Sequence, residues 1–346
     1  MKTFNVGIIG TGGIANAAHL PALQKQPDVK ILAVCDIKED VMKKTAEKFE
    51  VPHQFADYRK LLEMPEIDAV HICTPNDVHM DPTVVALNAG KHVICEKPIG
   101  RNPAEAQAMV DAARKTGKKL MIAQCWRWNQ DIACLKRFIE AGELGDIFMA
   151  RVWALRRRGI PSWGVFIDKE KQGGGPLIDI GVHILDATMY LLGDVKAVAA
   201  SGKTYTNIGK EPGHFGSFGP WDWKNYTVED YAVGYVRLAN GASLVVESSF
   251  AANIGEDQFN TTLLGTKGGA CSSPLRIYGE QHSTLTDLTP VKLPSVNTYE
   301  AEIRAFYDAL RDNTEVPVTG EQALNVIKII DGIYRSSEAG KEVTIE

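Results

Sequence analysis

The run Leu177–Asp186, LIDIGVHILD, places Asp179, His183 and Asp186 among residues that are otherwise Leu, Ile, Val and Gly. On a helix at ~100° per residue the three polar side chains fall within a wedge of roughly 60°, and Tyr190 falls inside it too. A surface helix usually turns long charged side chains to water. Short carboxylates and an imidazole instead suit a helix whose polar stripe faces a cleft, and a His with an Asp one turn away is a set that acid–base chemistry uses. An amphipathic helix with a narrow solvated face would look the same on this segment alone.

A second set lies near the N-terminus. Gly10-Thr-Gly12-Gly13-Ile-Ala15 is a G-x-G-x-x-A turn that leaves an apolar strand and opens a helix. The first Gly permits the tight turn, the second admits a pyrophosphate, and the third position packs helix on strand. The helix start, with Gly13 and Ile14, would offer free N–H groups to phosphates. Asp36 ends the second strand about 20 residues on, where a carboxylate binds a ribose 2′-hydroxyl and repels a 2′-phosphate. This favours NAD over NADP, although Lys38 close by weakens the preference. Two further strand ends carry Thr74-Pro75-Asn76 and Glu96-Lys97-Pro98, where ligands of open parallel sheets sit. Asn76 can equally cap a helix, and His79 can touch cofactor or bind backbone. A surface ion pair at Glu96-Lys97 fits less well, because the apolar strand HVIC delivers the pair and Pro98 stiffens the backbone after it.

The elements that must hold these residues alternate in the first half. Strands are expected at Phe4–Ile9, Ile31–Cys35, Asp68–Cys73, His92–Cys95 and Lys119–Gln124, with helices near 13–25, 39–49, 57–63, 78–89 and 103–116. Continuous apolar strands alternating with helices mean a parallel sheet covered on both faces. From about Ile147 strands follow strands, at 147–157, 195–205, 230–238, 242–250 and 258–265, with a hairpin at Ala239-Asn240-Gly241. The helix 176–192 is inserted early, and helices near 298–312 and 320–337 end the chain. The expected fold is an α/β Rossmann domain, 1–124, followed by an α+β domain, 125–346, whose large sheet is mostly antiparallel and whose last helices can pack back on the first domain.

The 346 residues suffice for two cores, and a formal charge of −5 with 45% apolar residues suggests neither disorder nor a nucleic-acid surface. No apolar run approaches the ~18 residues of a membrane span, and MKTFNVGIIG enters a strand at once, without a signal-peptide pattern. Cysteines 35, 73, 95, 125, 134 and 271 lack metal or CxxC spacing, so reduced thiols in a cytoplasm are expected and no metal site.

GIIGTGGIA, CD at 35–36, CTPNDVH at 73–79, GKHVICEKPIG at 90–100 and GGGPLIDIGVHILD at 173–186 together resemble the Gfo/Idh/MocA family, which includes glucose–fructose oxidoreductase and inositol dehydrogenase. LKRFIEAGELGDI and VTGEQALNVIKIIDGIYRS extend the likeness along the chain. The resemblance implies reversible hydride transfer between NAD(P) and a secondary alcohol, on a sugar or cyclitol. It also implies an open-faced second sheet that mediates homodimers or homotetramers. The family's catalytic Lys matches Lys97 and its Asp and His match Asp179 and His183, while Arg127 matches a common Arg and becomes a substrate candidate. In that chemistry His183 is the better base, Asp179 orients or relays, Lys97 stabilises alkoxide, and Asp186 supports the helix.

On the strand 147–157, Arg151, Trp153, Leu155 and Arg157 share one face and Arg156 and Arg158 the other. Arg157 or Arg158 is the expected substrate contact. Trp163 stacks on a sugar or nicotinamide ring, or is an interface or core residue. GHFGSFGPWDWKNY at 213–226 reads as an ordered loop, a lid or an oligomer contact. His19, His53, His71 and His92 read as structural. Two other functions share these features. One is a glycosidase or lyase that retains NAD and oxidises its sugar transiently. The other is a dinucleotide-sensing regulator, which has no need of Lys97, Asp179 and His183.

Overall fold

The computed structural model describes residues 3–346, in two compact units. The first unit comprises the chain up to Cys125 together with Asn297–Leu324. Its sheet contains β1 (Phe4–Ile9), β2 (Val29–Cys35), β3 (His53–Phe55), β4 (Ala69–Ile72), β5 (His92–Glu96) and β6 (Leu120–Ala123). They are parallel and ordered β3-β2-β1-β4-β5-β6, a doubly wound arrangement whose order reverses between β1 and β4. Every residue of β4 and β6 is buried, which is why these strands read as unbroken apolar runs. The crossovers are α1 (Leu20–Gln24), α2 (Glu39–Phe49), α3 (Tyr58–Leu62), α4 (Met80–Asn88) and α5 (Pro103–Thr116). A π-helical turn, Ala15–His19, leads into α1.

All five expected strands of this unit are present. The short edge strand β3 was not expected, because two of its three residues are polar and exposed and carry no apolar signal.

The second unit, Trp126–Val296 with Asn325–Glu346, is built on β7 (Ile147–Leu155), β8 (Ala197–Tyr205), β9 (Tyr231–Leu238), β10 (Ser243–Ser249), β11 (Gln258–Gly265), β12 (Gly269–Ser272), β13 (Leu275–Gln281), β14 (Thr284–Leu288) and β15 (Val343–Thr344). The nine strands run β14-β13-β12-β11-β7-β10-β9-β8-β15. Only β7 and β10 pair in parallel; the other pairs are antiparallel. The expected hairpin joins β9 to β10, with the Gly241 N–H donating to the Leu238 carbonyl. Strands β12 to β14 were not anticipated: β12 is Gly-Ala-Cys-Ser, and β14 is largely exposed, so neither carries apolar alternation.

One face of this sheet is covered. In β7, Ala150, Val152 and Ala154 are buried while Arg151 is exposed and Trp153 half-buried. Helices α6 (Gln130–Glu140), the short α7 (Lys169–Gln172) and α8 (Val182–Leu191) belong to this unit. Two helices close the chain: α9 (Thr298–Arg311), in the first unit, and α10 (Gly320–Ala339), which belongs to the second unit from Asn325 onward. No helix among the described residues is long and apolar enough to cross a membrane.

The turn before α6 is tied to α8 by a buried ion pair. Arg127 donates through Nε and Nη2 to the two oxygens of Asp186, both at 2.8 Å, and both side chains are almost wholly shielded. The Arg127 guanidinium also lies 5.2 Å from the Tyr190 ring centre, and Lys136 donates to the Tyr190 carbonyl. Removing one member of a buried pair leaves the other charged without compensation. Asp186→Ala is therefore expected to lower stability by about 3–5 kcal/mol, read as the shift of the denaturant midpoint of the second unit. An unchanged midpoint would mean that the pair does not hold the helix.

Candidate functional site

In the first unit the turn after β1 is fixed by sterics. Gly10 has φ +90°, and a Cβ there would lie 2.6 Å from the Cys73 carbonyl oxygen. Thus β1 and the end of β4 approach more closely than any side chain allows. A Cβ on Gly12 or Gly13 would meet nothing within 4 Å, so the outer side of the turn is open space. Asp36 is drawn onto this turn: its Oδ2 accepts from the Thr11 N–H at 2.7 Å and hydroxyl at 2.9 Å, and its Oδ1 from the Lys38 N–H at 2.9 Å. Asn16 donates to the Thr11 carbonyl and steadies the loop. An open glycine turn at a helix start, with a carboxylate held at the next strand end, fits a dinucleotide. Ile37 is 89% exposed beside Asp36 and offers an apolar platform that sequence reading passed over.

The other two strand ends are interlocked. Thr74, Pro75 and Asn76 form the turn after β4, where the Thr74 hydroxyl donates to the Val78 carbonyl and Asn76 is buried. His79 is buried, with Nδ1 2.7 Å from the Pro98 carbonyl and Nε2 2.9 Å from that of Thr74. Its expected cofactor contact is thereby corrected. Both ring nitrogens serve backbone, and the ring clamps one strand-end loop to the other. Burial draws its pKa below the usual value, against the pull of the two carbonyls.

Glu96 is corrected in the same sense. One oxygen meets His19 Nε2 at 2.9 Å and the other accepts the Lys97 N–H at 3.1 Å, so the carboxylate is turned toward protein and supports Lys97. Burial alone would raise its pKa, but His19, Lys97 and His79 around it hold it below the usual carboxylate value. Lys97 itself stands half-buried just past the end of β5.

In the second unit the decisive feature is how the helix carrying Asp179 and His183 begins. It opens with a π-helical turn, Leu177–Gly181, which continues into α8. The buried Glu229 carboxylate caps the opening, accepting from the N–H groups of Gly175 (2.8 Å) and Leu177 (3.3 Å) and from the Tyr334 hydroxyl (2.8 Å). A Cβ on Gly174 would fall 2.1 Å from the Tyr334 hydroxyl and one on Gly175 2.3 Å from the Glu229 carbonyl, which explains both glycines, while Gly173 has φ +87°. The Ser248 hydroxyl, from β10, donates to the Pro176 carbonyl at 2.8 Å. Asp179 lies inside the π turn, nearly buried, and His183 in the next turn is half-buried. Single π turns of this kind favour functional sites.

The polar wedge is real but divided. Asp179 and His183 stand at the start of the helix, while Asp186, as expected, supports it. Arg127 is a correction: the substrate role expected for it is displaced by its pairing with buried Asp186. Arg157 is exposed, with its N–H on Asp257 (2.7 Å) and its guanidinium on the Gly255 carbonyl (3.1 Å). Arg158 bonds the Ala252 carbonyl and Asn253.

The arginine that feels Asp179 is Arg156. Its guanidinium lies 5.4 Å from the Phe218 ring centre and 5.9 Å from that of Phe250, and one N–H donates to the Gly159 carbonyl. Loss of hydration lowers its pKa, and the charges of Asp179 and Asp257 act in the opposite sense. The signal was in the pattern: Arg156 continues the parity of buried Ala150, Val152 and Ala154, so it follows the covered side of β7.

Trp163, 55% exposed, meets Phe218 at 5.2 Å and Phe166 at 6.2 Å edge-on. The loop bearing Phe218 is docked rather than loose. The Ser217 N–H donates to the Arg158 carbonyl, Ser162 bonds the Phe218 carbonyl, and Trp221 donates to the Gly209 carbonyl at 2.7 Å. Arg156, Trp163 and Phe218 thus form a half-open aromatic and cationic group.

Residues 4–124 match an oxidoreductase family with an NAD-binding Rossmann fold, and residues 136–345 match that family's C-terminal alpha/beta domain. A D-glucoside 3-dehydrogenase of Escherichia coli (strain K12) is 36% identical over 341 residues, 98% of this chain and 97% of that protein. A scyllo-inositol 2-dehydrogenase (NADP(+)) of Bacillus subtilis (strain 168) is 28% identical, over 100% of this chain and 97% of that one. Among solved structures, levoglucosan dehydrogenase in complex with NADH and levoglucosan has a TM-score of 0.86 at 25% identity, covering 99% of this chain and 100% of its own. With both halves matched in order, the chain belongs to the Gfo/Idh/MocA oxidoreductase family.

Proposed function

We propose that this chain is an NAD(P)-dependent dehydrogenase that oxidises a secondary alcohol of a pyranoside or related sugar, with a cyclitol as the next candidate class. The observation that carries the reading is the pair Asp179 and His183 on a helix start fixed by Glu229 and Ser248, in a chain 36% identical over nearly its whole length to a D-glucoside 3-dehydrogenase. Bound NAD(P) supplies the hydride acceptor. Gly10, Gly12, Gly13 and Ile14 would hold its pyrophosphate, Asp36 its adenosine ribose, and Thr74, Pro75 and Asn76 would border it at the end of β4.

His183 takes the hydroxyl proton and Asp179 fixes the imidazole that receives it. Lys97 presents a positive charge to the alkoxide that develops, or polarises the ketone in reverse. Arg156 donates to hydroxyls of the sugar, and Trp163 with Phe218 covers its apolar face. The six free, buried cysteines fit a reducing compartment, and a cytoplasmic location is part of this reading. The uncovered face of the second sheet carries Trp153, Tyr231 and Tyr235, and we read it as the surface through which copies of this chain pair as a dimer or tetramer.

Purified protein should reduce NAD with methyl glucosides, levoglucosan or inositols, measured as NADH absorbance across a panel. Conversion without net NADH would point to transient oxidation by a lyase or glycosidase, and NADH binding without any turnover to a sensor. His183→Ala should cut kcat by ~10²–10⁴-fold while NADH still binds, as titrated by fluorescence. Full turnover in that variant would remove His183 from the chemistry.

Asp36→Ser should lower kcat/KM for NAD by about 10–100-fold and improve NADP, because it removes a charge-assisted bond to the ribose and the repulsion of a 2′-phosphate. Unaltered cofactor preference would show that Asp36 does not read the ribose. Arg156→Ala should raise the sugar KM about tenfold or more with the NAD KM unchanged. Equal loss for both ligands would deny Arg156 a substrate role.

A further inference from the structure

Behind Glu96 a chain of buried side chains crosses the first unit. Glu96 Oε1 lies 2.9 Å from His19 Nε2, His19 Nδ1 lies 2.7 Å from His71 Nδ1, and His71 Nε2 lies 2.9 Å from the Tyr307 hydroxyl. The members come from the π turn before α1, from β4, from the end of β5 and from α9. His19, His71 and Tyr307 have no exposed surface. The imidazoles meet nearly at right angles, 85°, and His71 lies almost parallel to Tyr307, at 19°.

Proton counting fixes the direction of this chain. Two imidazoles that meet Nδ1 to Nδ1 need one donor and one acceptor, so their tautomers are tied. With Glu96 ionised, His19 donates from Nε2 and accepts at Nδ1, His71 donates from Nδ1 and accepts at Nε2, and Tyr307 donates. Each contact then has one proton and one lone pair, all pointing toward Glu96. The opposite direction would need a protonated Glu96 or a charged histidine. It would also turn the Tyr307 O–H away from His71, in a fully buried place. Burial keeps the Tyr307 phenol protonated and disfavours a charged His71.

We infer that Tyr307, His71 and His19 are positioning residues that hold Glu96 as an oriented anion, whose second oxygen fixes the Lys97 backbone at the end of β5. The inference rests on the reading of Lys97 as the group that faces the reacting oxygen. None of the three touches substrate or cofactor. They act by keeping the carboxylate ionised and pointed, and breaking the chain frees His19 to change tautomer and withdraw its N–H. Glu96 then becomes easier to protonate, and activity is lost from the acid side as pH falls.

The groups facing Glu96 besides His19 are Lys97, His79, Cys73, Cys95, Cys125 and Tyr299. Those facing Tyr307 are Arg311, Asp28 and Asp68. The test variants alter none of these. Tyr307→Phe removes one oxygen and keeps the ring against Phe4 and Phe306. His71→Phe breaks the middle of the chain.

With methyl β-D-glucoside as substrate, kcat should fall by one proton below the limb set by His183 and by two below a more acidic break set by Glu96. That break should move up by about one unit in His71→Phe, and less in Tyr307→Phe, with the KM for the glucoside unchanged. The double variant should shift no further than His71→Phe, because both act along one path. A break that stays in place in folded variants, with only the melting temperature lowered, would overturn the inference.

If no sugar is oxidised, the chain can still be tested without activity. The infrared difference between the wild type and Glu96→Gln isolates the Glu96 carboxyl band. Its protonation should occur at higher pH in the His71→Phe background, where the same subtraction is made. An unmoved band would overturn the inference whatever the enzyme's substrate.

Discussion

A carboxylate buried in protein is tolerated only where donors surround it, and Glu229 meets that condition with the N–H groups of Gly175 and Leu177 and the Tyr334 hydroxyl. Bonds to a charged acceptor contribute roughly 1.5–3 kcal/mol each. Burial still raises the pKa of Glu229, so the donors are what keep the cost of burying it bearable. The arrangement sets the first turn of the helix that bears Asp179 and His183. It also requires small residues at 174 and 175, because the tyrosine and the chain at Glu229 come within side-chain distance of them. The π turn that contains Asp179 follows directly on this capped start, and the Ser248 hydroxyl bonds the Pro176 carbonyl beside it.

Both units use the same device: charged groups that do no chemistry hold those proposed to do it. Asp186 with Arg127 secures the later part of the helix as Glu229 secures its start. In the first unit Asp36 is tethered to the glycine turn by Thr11, and Glu96 is turned inward beside Lys97. His79 extends the principle to backbone, tying the loop after β4 to the loop after β5. The backbone that carries the proposed reacting groups is thus held by hydrogen bonds, a frame of the kind preorganised catalysis requires.

Much of this could be read from the sequence, for identifiable reasons. The parallel strands are buried on both faces and therefore appear as uninterrupted apolar runs, and the glycine turn has a fixed form. The wedge of Asp179, His183 and Asp186 was visible because few polar residues interrupt that helix. What escaped depends on partners distant in the chain. A helical wheel cannot show that Asp186 meets Arg127, or that the π turn alters the phase at Asp179. His79 looked like a ligand contact because nothing local reveals two carbonyls 2.7 and 2.9 Å away. Arg156 was passed over for its neighbours because parity alone does not say which face of the strand is covered, and the burial of Ala150, Val152 and Ala154 settles that. The edge strands β12 to β14 are short, small or polar, and carried no signal.

The docked loop that bears Phe218 has an evolutionary consequence. Arg156, Trp163 and Phe218 lie on connections beyond β7 and before β9, whereas Asp179 and His183 belong to a helix anchored by Glu229, Ser248 and Arg127. Substitutions in those connections can reshape the aromatic and cationic group without disturbing the anchors of the acid–base pair. If these connections hold the sugar as proposed, ligand preference can change through them while the helix that bears Asp179 and His183 keeps its own supports.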